Sequence, residues 1–386
     1  MFFAGLVLAA LLTQPESGEA IPAFARKYRM SCTTCHAPIP RLKAYGDDFA
    51  GNGFVLEDQD APRYFVDEGD DKLDLIRDFP IAARFDGFVK YETATDRDVD
   101  FSTPYALKLL SGGALTKNVA YYFYFYMSER GEVAGVEDAY LMFNNLFGSE
   151  LDIYLGQFQA SDPLFKRELR LTYEDYELYR RRIGSSLVNL AYDKGIMLTY
   201  GFESGTDVIL EVVNGNGIGE ADDAHVFDND KYKNFMGRIS QDLTDYLRVG
   251  GFGYYGKEAD NDNNKNELWM AGADATLAYL DRLELNLQWI ERRDDNPVFA
   301  DTKPDDELET LGAMAELIFM PTGERSDWYA VALYNRVDSD LDVEDYETFS
   351  AHIGHVLRTN IRLILEYTYD IENEESRVIT GFVSAF

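Results

Sequence analysis

From Pro80 to Phe386 apolar and polar residues alternate with a period of two. Ile81, Ala83, Phe85, Val89 and Tyr91 alternate with Arg84, Asp86, Lys90 and Glu92. Successive side chains of a strand point to opposite faces, so such a segment has one apolar and one polar side. The pattern recurs to the last residue in segments of about ten, the signature of a transmembrane β-barrel with lipid outside and a polar lumen. Sixteen strands are predicted, near 80–92, 103–115, 119–129, 136–145, 150–159, 193–203, 206–215, 232–243, 246–257, 266–280, 282–293, 309–321, 327–337, 346–358, 361–371 and 376–386. An even count puts both barrel ends on one side.

The connections also alternate. Those after even-numbered strands are short, as at 116–118, 244–245, Asp281 and 359–360, whereas 214–231, 294–307 and 338–345 are long and acidic. Short periplasmic turns and long external loops are the asymmetry expected of outer-membrane barrels. A soluble sandwich or a propeller would show shorter, less regular segments without it. Residues 121–126 read Tyr-Tyr-Phe-Tyr-Phe-Tyr, as in an aromatic girdle, and the chain ends on Phe386 with Phe382 and Val378 at same-face spacing. The third long connection, 160–192, carries Lys166, Arg167, Arg170, Arg180, Arg181 and Arg182 beside Asp162, Glu168, Glu174, Asp175 and Glu177. Folded into the lumen, its arginines would constrict an anion path or meet the acidic groups of a bound ligand; left outside, it is a solvated loop.

The first 79 residues follow another pattern. Phe2 to Leu12 is an apolar run too short for a membrane span and suited to the core of a signal peptide, with Gly18 and Ala20 predicting cleavage before Ile21. The run has no Lys or Arg before it, which leaves a late start codon or a buried core segment as alternatives. The predicted organisation is a signal peptide over 1–20, a separate small unit and linker over 21–79, and the barrel over 80–386.

Cys32-Thr33-Thr34-Cys35-His36 is a C-x-x-C-H run, the attachment sequence of c-type haem. Two thiols add to two vinyl groups on one haem edge, and the adjacent imidazole supplies a nitrogen suited to iron. A redox C-x-x-C pair would sit in a βαβ setting, absent here, and a zinc site would need two more ligands close by, whereas the next histidine is His225. One covalent haem c on Cys32 and Cys35, with His36 as proximal ligand, is therefore expected, which makes 21–79 a monohaem cytochrome c-like segment and linker; the arginines of 160–192, if folded into the lumen, would meet the haem propionates. Pro22 opens a predicted helix with Phe24 and Tyr28 on one face, and Pro40 a second one bearing Leu42, Tyr45 and Phe49, stopped by Gly51-Asn52-Gly53.

Charge and cysteine count narrow the function. Acids outnumber bases 69 to 36 for a net charge of −33, which excludes a nucleic-acid binder. The 25 Phe and 26 Tyr exclude a disordered chain, and two cysteines cannot build a disulfide framework. Between His36 and Met127 stands neither Met nor His, so the usual downstream sixth haem ligand does not exist. Either Met30 folds back, or the barrel supplies the ligand, or the iron is five-coordinate. In the fourteenth strand Tyr346, Thr348, Ser350, His352 and Gly354 share a polar, luminal face, while His355 shares the other with Phe349 and Ile353. His352 is the first distal candidate and Met30 the second. Met236 and Met314 share faces with polar neighbours and are expected in the lumen too.

Pro22, Phe24-Ala25-Arg26, Cys32 to His36, Pro40, Leu42, Gly46, Phe49 and Asn52-Gly53-Phe54, ahead of a sixteen-stranded barrel, resemble the fused outer-membrane cytochrome–porins, the monohaem proteins proposed as iron(II) oxidases. Lys43 and Tyr45 stand where that family usually has Asn and Phe. The resemblance implies a bacterial outer-membrane protein in contact with lipid and lipopolysaccharide. It further implies electron transfer from an external donor, Fe(II), through the haem to a soluble periplasmic cytochrome or similar carrier. Acidic loops would attract a cationic donor, or bind the divalent ions that bridge lipopolysaccharide. A different class is a solute (anion) porin with a haem-bearing plug or sensor, in which Arg84, Lys108, Arg238 and Arg362 are selectivity charges. A third is electron export to an external acceptor.

Overall fold

A computed structural model describes residues 23–56, 65–66, 68–93, 99–228 and 230–386. The expected leader and Pro22 lie outside the described residues. Ahead of the barrel come helix α1 (Ala23–Tyr28), a 3-10 turn at Cys32–Thr34, helix α2 (Ala44–Gly51) and a two-stranded hairpin of β1 (Phe65–Val66) and β2 (Leu75–Ile76). Sixteen strands then follow in chain order: β3 (Ile81–Glu92), β4 (Asp100–Thr116), β5 (Val119–Glu129), β6 (Gly135–Leu146), β7 (Leu151–Phe158), β8 (Asp193–Gly201), β9 (Thr206–Val213), β10 (Asn234–Thr244), β11 (Leu247–Ala259), β12 (Lys265–Tyr279), β13 (Leu283–Asp294), β14 (Leu308–Phe319), β15 (Trp328–Ser339), β16 (Tyr346–Arg358), β17 (Ile361–Asp370) and β18 (Glu375–Ala385). Each pairs antiparallel with its neighbours, and β18 pairs with β3 to close the barrel.

All sixteen predicted segments are strands. The largest shift is in β4, which starts three residues earlier than expected: Ser102, Phe101 and Asp100 still pair with Phe88, Val89 and Lys90 beyond Pro104. The register slips between Asp86 and Phe88 there, and such a bulge is where a sheet tolerates a residue without an N–H.

The faces sort as the alternation requires. In β10, Phe235 and Ile239 are 51% and 57% exposed on the outside, while Asn234 and Ser240 are 0% and 3% exposed within. This apolar outer belt puts the barrel in a membrane, and the short-turn end marks its periplasmic mouth. The run 121–126 is only half a girdle. Tyr122, Tyr124 and Tyr126 point inward as an edge-to-face ladder, with ring centroids 6.2 Å and 5.8 Å apart. The second expected helix starts at Ala44 rather than near Pro40, because Leu42 first pairs back with His36 in an extended bridge.

The long connection after β7 settles its own alternatives: it lies in the lumen. Helix α3 (Glu177–Arg180) sits within it, and Leu171, Tyr179, Ile183 and Val188 are buried. Its polar groups are tied across the barrel. Tyr176 donates to Glu316 at 2.9 Å and Tyr179 to Gln288 at 3.0 Å. Glu366 accepts the backbone N–H groups of Tyr173 and Glu174 at 2.6 Å and 2.8 Å, and Arg292 donates to the Val188 carbonyl at 2.7 Å. Facing the loop, β8–β15 present Met197, Met236, Phe252, Leu268, Met270, Met314 and Leu333, which form one apolar core with Leu164, Tyr176, Tyr179, Val188 and Leu190. The expected polar channel is thus packed on this side, because inward positions carry apolar residues that need a partner.

Tyr179 anchors this plug with both ring and hydroxyl. Tyr179→Ala is expected to lower barrel stability by about 3–5 kcal/mol, read as an earlier urea midpoint in the heat-modifiable mobility of the purified protein.

Candidate functional site

The C-x-x-C-H segment is shaped by local hydrogen bonds. Ser31 caps the turn by accepting the Thr33 N–H at 3.3 Å, and the Cys32 carbonyl accepts from Cys35 at 3.2 Å and His36 at 2.9 Å. Helix α2 packs directly on this turn. A Cβ on Gly46 would come within 2.4 Å of the Cys35 carbonyl oxygen, so only glycine fits there. The underside is aromatic: Phe24 stacks on Phe54 at 4.9 Å and meets Phe49 edge-on at 5.4 Å, and Phe54 stacks on Tyr122 of the barrel wall at 5.5 Å.

The unit plugs the periplasmic mouth. Arg41 pairs with Glu284 at the start of β13, Lys43 with Glu324 at 2.7 Å, and Lys166 of the luminal loop with Asp47 of α2 at 3.6 Å. Asn144 donates to the Gly51 carbonyl at 2.6 Å. Burial would push the Lys166 ammonium down, but Asp162 and Asp47 outweigh it and hold its pKa above the usual value.

Between unit and wall lies a cavity of about 320 Å³ that brings together Cys32, Cys35, His36 and Met30 with Phe49, Phe54, Tyr122 and Leu110. Its upper rim is charged, with Arg84, Lys108, Arg362 and Glu168. The two thiols are unpaired and partly exposed. Burial pushes both up in pKa, with Cys32 adding to the effect on Cys35. His36 Nδ1 lies 2.6 Å from the Pro40 carbonyl, which accepts its proton and leaves Nε2 as the free lone pair. Burial lowers the His36 pKa, favouring the neutral ring a metal needs. Two adjacent thiols, one oriented imidazole and an apolar slot fit covalent attachment of a planar metal macrocycle. Anionic edge groups of such a macrocycle would meet Arg84, Lys108 and Arg362.

Met30 lines this cavity; His352 does not. His352 is luminal, as its strand face predicts, but Glu366 accepts from its Nδ1 at 2.9 Å and Tyr329 stacks on it at 5.6 Å, under the luminal loop. His355 is on the other face, stacked on Trp328. The four luminal cations expected from alternation are luminal, and each has a partner. Arg84 donates to Asp86 at 3.0 Å, Lys108 to Glu168 at 3.1 Å, Arg238 to Asp274 at 2.9 Å and Arg362 to the Leu171 carbonyl at 3.2 Å. Against burial, Lys108, Arg167 and Arg170 hold the Glu168 carboxyl well below its usual range. The loop's arginines are spent likewise, Arg167 and Arg170 on Asp175 at 3.1 Å and 3.5 Å. The Tyr122–Tyr126 ladder was the part of the site hidden in the sequence, although its period of two already separated Tyr122, Tyr124 and Tyr126 from Tyr121, Phe123 and Phe125.

No family model matches the chain, and none of the curated proteins matches it. Solved structures do match in fold. The anion-selective porin from Comamonas acidovorans superposes with TM-score 0.59 at 12% identity, covering 80% of this chain and 99% of that one. The outer-membrane channel DcaP of Acinetobacter baumannii gives 0.58 at 12% identity, over 80% and 97%. Salmonella typhi OmpF in complex with daunomycin gives 0.55 at 11% identity, over 80% and 98%. The fold is that of a porin-type barrel of the bacterial outer membrane.

Of the ion pairs that hold the docked unit, that of Arg41 has the most buried partner. Arg41→Ala leaves the Glu284 carboxylate with its Asn286 hydrogen bond alone, and is expected to weaken docking by about 1–3 kcal/mol. Lys43→Ala, which breaks a pair with an exposed Glu324, is expected to cost under about 1 kcal/mol. Limited proteolysis within 23–56, at unchanged barrel unfolding, checks both.

Proposed function

We propose that this chain is an outer-membrane electron-transfer protein in which one haem c, attached through Cys32 and Cys35 with His36 as axial ligand, sits at the periplasmic mouth of the barrel. The reading makes it a fused cytochrome–porin and an oxidase of an external donor, Fe(II), that delivers electrons to a soluble periplasmic carrier. The observation that carries it is the cavity where both thiols, the imidazole with its free Nε2 and Met30 meet an apolar slot. When bound, the haem supplies a one-electron couple. The chain's residues do the rest. Pro40 fixes the imidazole tautomer, Phe49 and Phe54 exclude water, and Arg84, Lys108 and Arg362 compensate negative charge at the inner rim. Met30 is the proposed distal ligand in preference to His352, since only Met30 lines the cavity.

A second reading, an anion porin with a haem-bearing plug or sensor, draws on the fold shared with an anion-selective porin. The apolar core between the luminal loop and β8–β15 and the pairing of the luminal cations weigh against free anion flow. Conductance of the purified protein in a planar bilayer separates the two: sustained anion current favours the porin, whereas a closed barrel whose haem is reduced by Fe(II) favours electron transfer.

Purified protein is expected to keep its haem through denaturing electrophoresis, and Cys35→Ser to weaken or abolish that signal. A haem extracted by acid–acetone would refute attachment. Met30→Ala is expected to convert a low-spin spectrum to high-spin and lower the midpoint potential, since axial Met raises it. His352→Ala should leave both unchanged; the opposite pattern assigns the ligand to His352.

A further inference from the structure

Glu211 of β9 has no role in the site above. It points into the lumen at 1% exposure, and neither carboxylate oxygen has a hydrogen-bond partner. Among the described residues it makes no ion pair. Protonation would remove the charge yet leave a buried O–H without an acceptor, which still costs about 1–3 kcal/mol. A bound cation would satisfy both oxygens at once.

The neighbours say which cation. The register places Met197 of β8 directly opposite Glu211 on one side and Met236 of β10 opposite it on the other. Directly opposed residues on one face have Cβ atoms about 5 Å apart, within reach of long unbranched side chains. Both methionines are buried on the same luminal face. Thioethers favour soft ions such as Cu(I), while Mg²⁺ and Ca²⁺ call for six or more oxygens. Charge agrees: one carboxylate and one monovalent ion sum to zero, whereas a divalent ion would leave a net charge in the packed interior.

A second cavity, of about 640 Å³, lies beside α2 and touches the site at Met197, which with Met142 is part of its wall. Asp47, Asp152 and Asp207 also line it, so a cation is drawn toward Met197. On the same wall Gln159, 2% exposed, has an unpartnered side-chain oxygen.

We infer that Met197, Glu211 and Met236 form a luminal site for a soft monovalent cation, Cu(I) or its redox-inert analogue Ag(I), filled from the acidic vestibule. The inference goes beyond electron transfer and holds with or without haem. The test is anaerobic titration of the purified full-length protein with Cu(I) and with Ag(I) against a chromogenic chelator. One equivalent is expected that persists in the Cys32→Ser/Cys35→Ser double variant, which removes any thiolate contribution. Glu211→Gln should abolish it, and Met197→Leu or Met236→Leu should weaken it at least about tenfold, each with heat-modifiable mobility retained. X-ray absorption of bound copper should show two sulfur neighbours, and the infrared band of a protonated carboxyl should vanish on Ag(I) addition. No uptake by the double variant, or uptake unchanged in Glu211→Gln, overturns the site.

Discussion

Inside hydrocarbon a backbone donor has no water to turn to, so a spanning sheet has to close on itself. In this chain the seam between β18 and β3 removes the last edges. It runs from Arg377 opposite Glu92 to Ala385 opposite Arg84, and Phe386 and Ala83 extend it with two backbone hydrogen bonds of 2.7 Å and 2.9 Å. The seam also sets where the N-terminal unit must be. β3 begins at the short-turn end, so whatever precedes it emerges at that mouth. The unit is held there covalently, and the Arg41, Lys43 and Asn144 contacts have only to orient it. That explains how the unit over 23–56, too small for a core of its own, keeps a defined cavity. The barrel wall supplies Leu110, Tyr122 and Tyr124 as the missing half.

Closure leaves the inner face free of the rules that govern the outer one, and the two sides of the lumen differ. Around β8–β15 the inward positions carry Met197, Met236, Met270, Met314 and Leu333, and the luminal loop completes an apolar core with them. Around β3–β6 they carry Arg84, Asp86, Lys108, Glu137 and Asp138, joined by Glu168 of the loop. The loop is thus both a plug for one side and a counter-charge for the other. Its own acids, Glu168 and Asp175, take up Arg167 and Arg170 before these could face a solute.

Alternation made the strands and their faces legible, because lipid on one side and lumen on the other force a period of two with little freedom. The C-x-x-C-H run stands out as a candidate because the chemistry it suggests depends on local spacing alone. What stayed hidden depends on height and azimuth within the barrel. His352 is on the luminal face as read, yet its register carries it under the loop to Glu366 rather than to Cys32 and His36. A face follows from parity; a height follows from strand stagger, which no single strand encodes. The folding-in of 160–192 was open for a similar reason, since a mixed-charge loop reads the same in water as in a lumen. A usable signal lay in the partner surface: Met236 beside Asn234 and Arg238, and Met314 beside Glu316, are apolar residues at positions an aqueous channel would leave polar.

The asymmetry of the lumen bears on how a single redox centre could serve both sides of the membrane. An apolar belt about 25 Å tall separates the periplasmic mouth from the outside, too far for efficient transfer in one step. The cavity at Cys32 and His36 does not end at the mouth. It shares Arg84, Glu168 and Arg362 with a smaller space of about 40 Å³ above it, lined also by Tyr105, Tyr126 and Tyr173. This polar, water-sized space lies on the β3–β5 side, away from the apolar core around β8–β15. Three acids at this level, Asp86, Glu129 and Glu168, face four arginines, Arg84, Arg130, Arg170 and Arg362, so attraction of a cationic donor falls to the acidic external loops. About 40 Å³ holds roughly three waters, fewer than the shell of a hexahydrated metal ion, so such an ion does not pass through it intact. Under the proposed electron-transfer reading, an external donor would therefore react from above this space, and the electron rather than the ion would cross it.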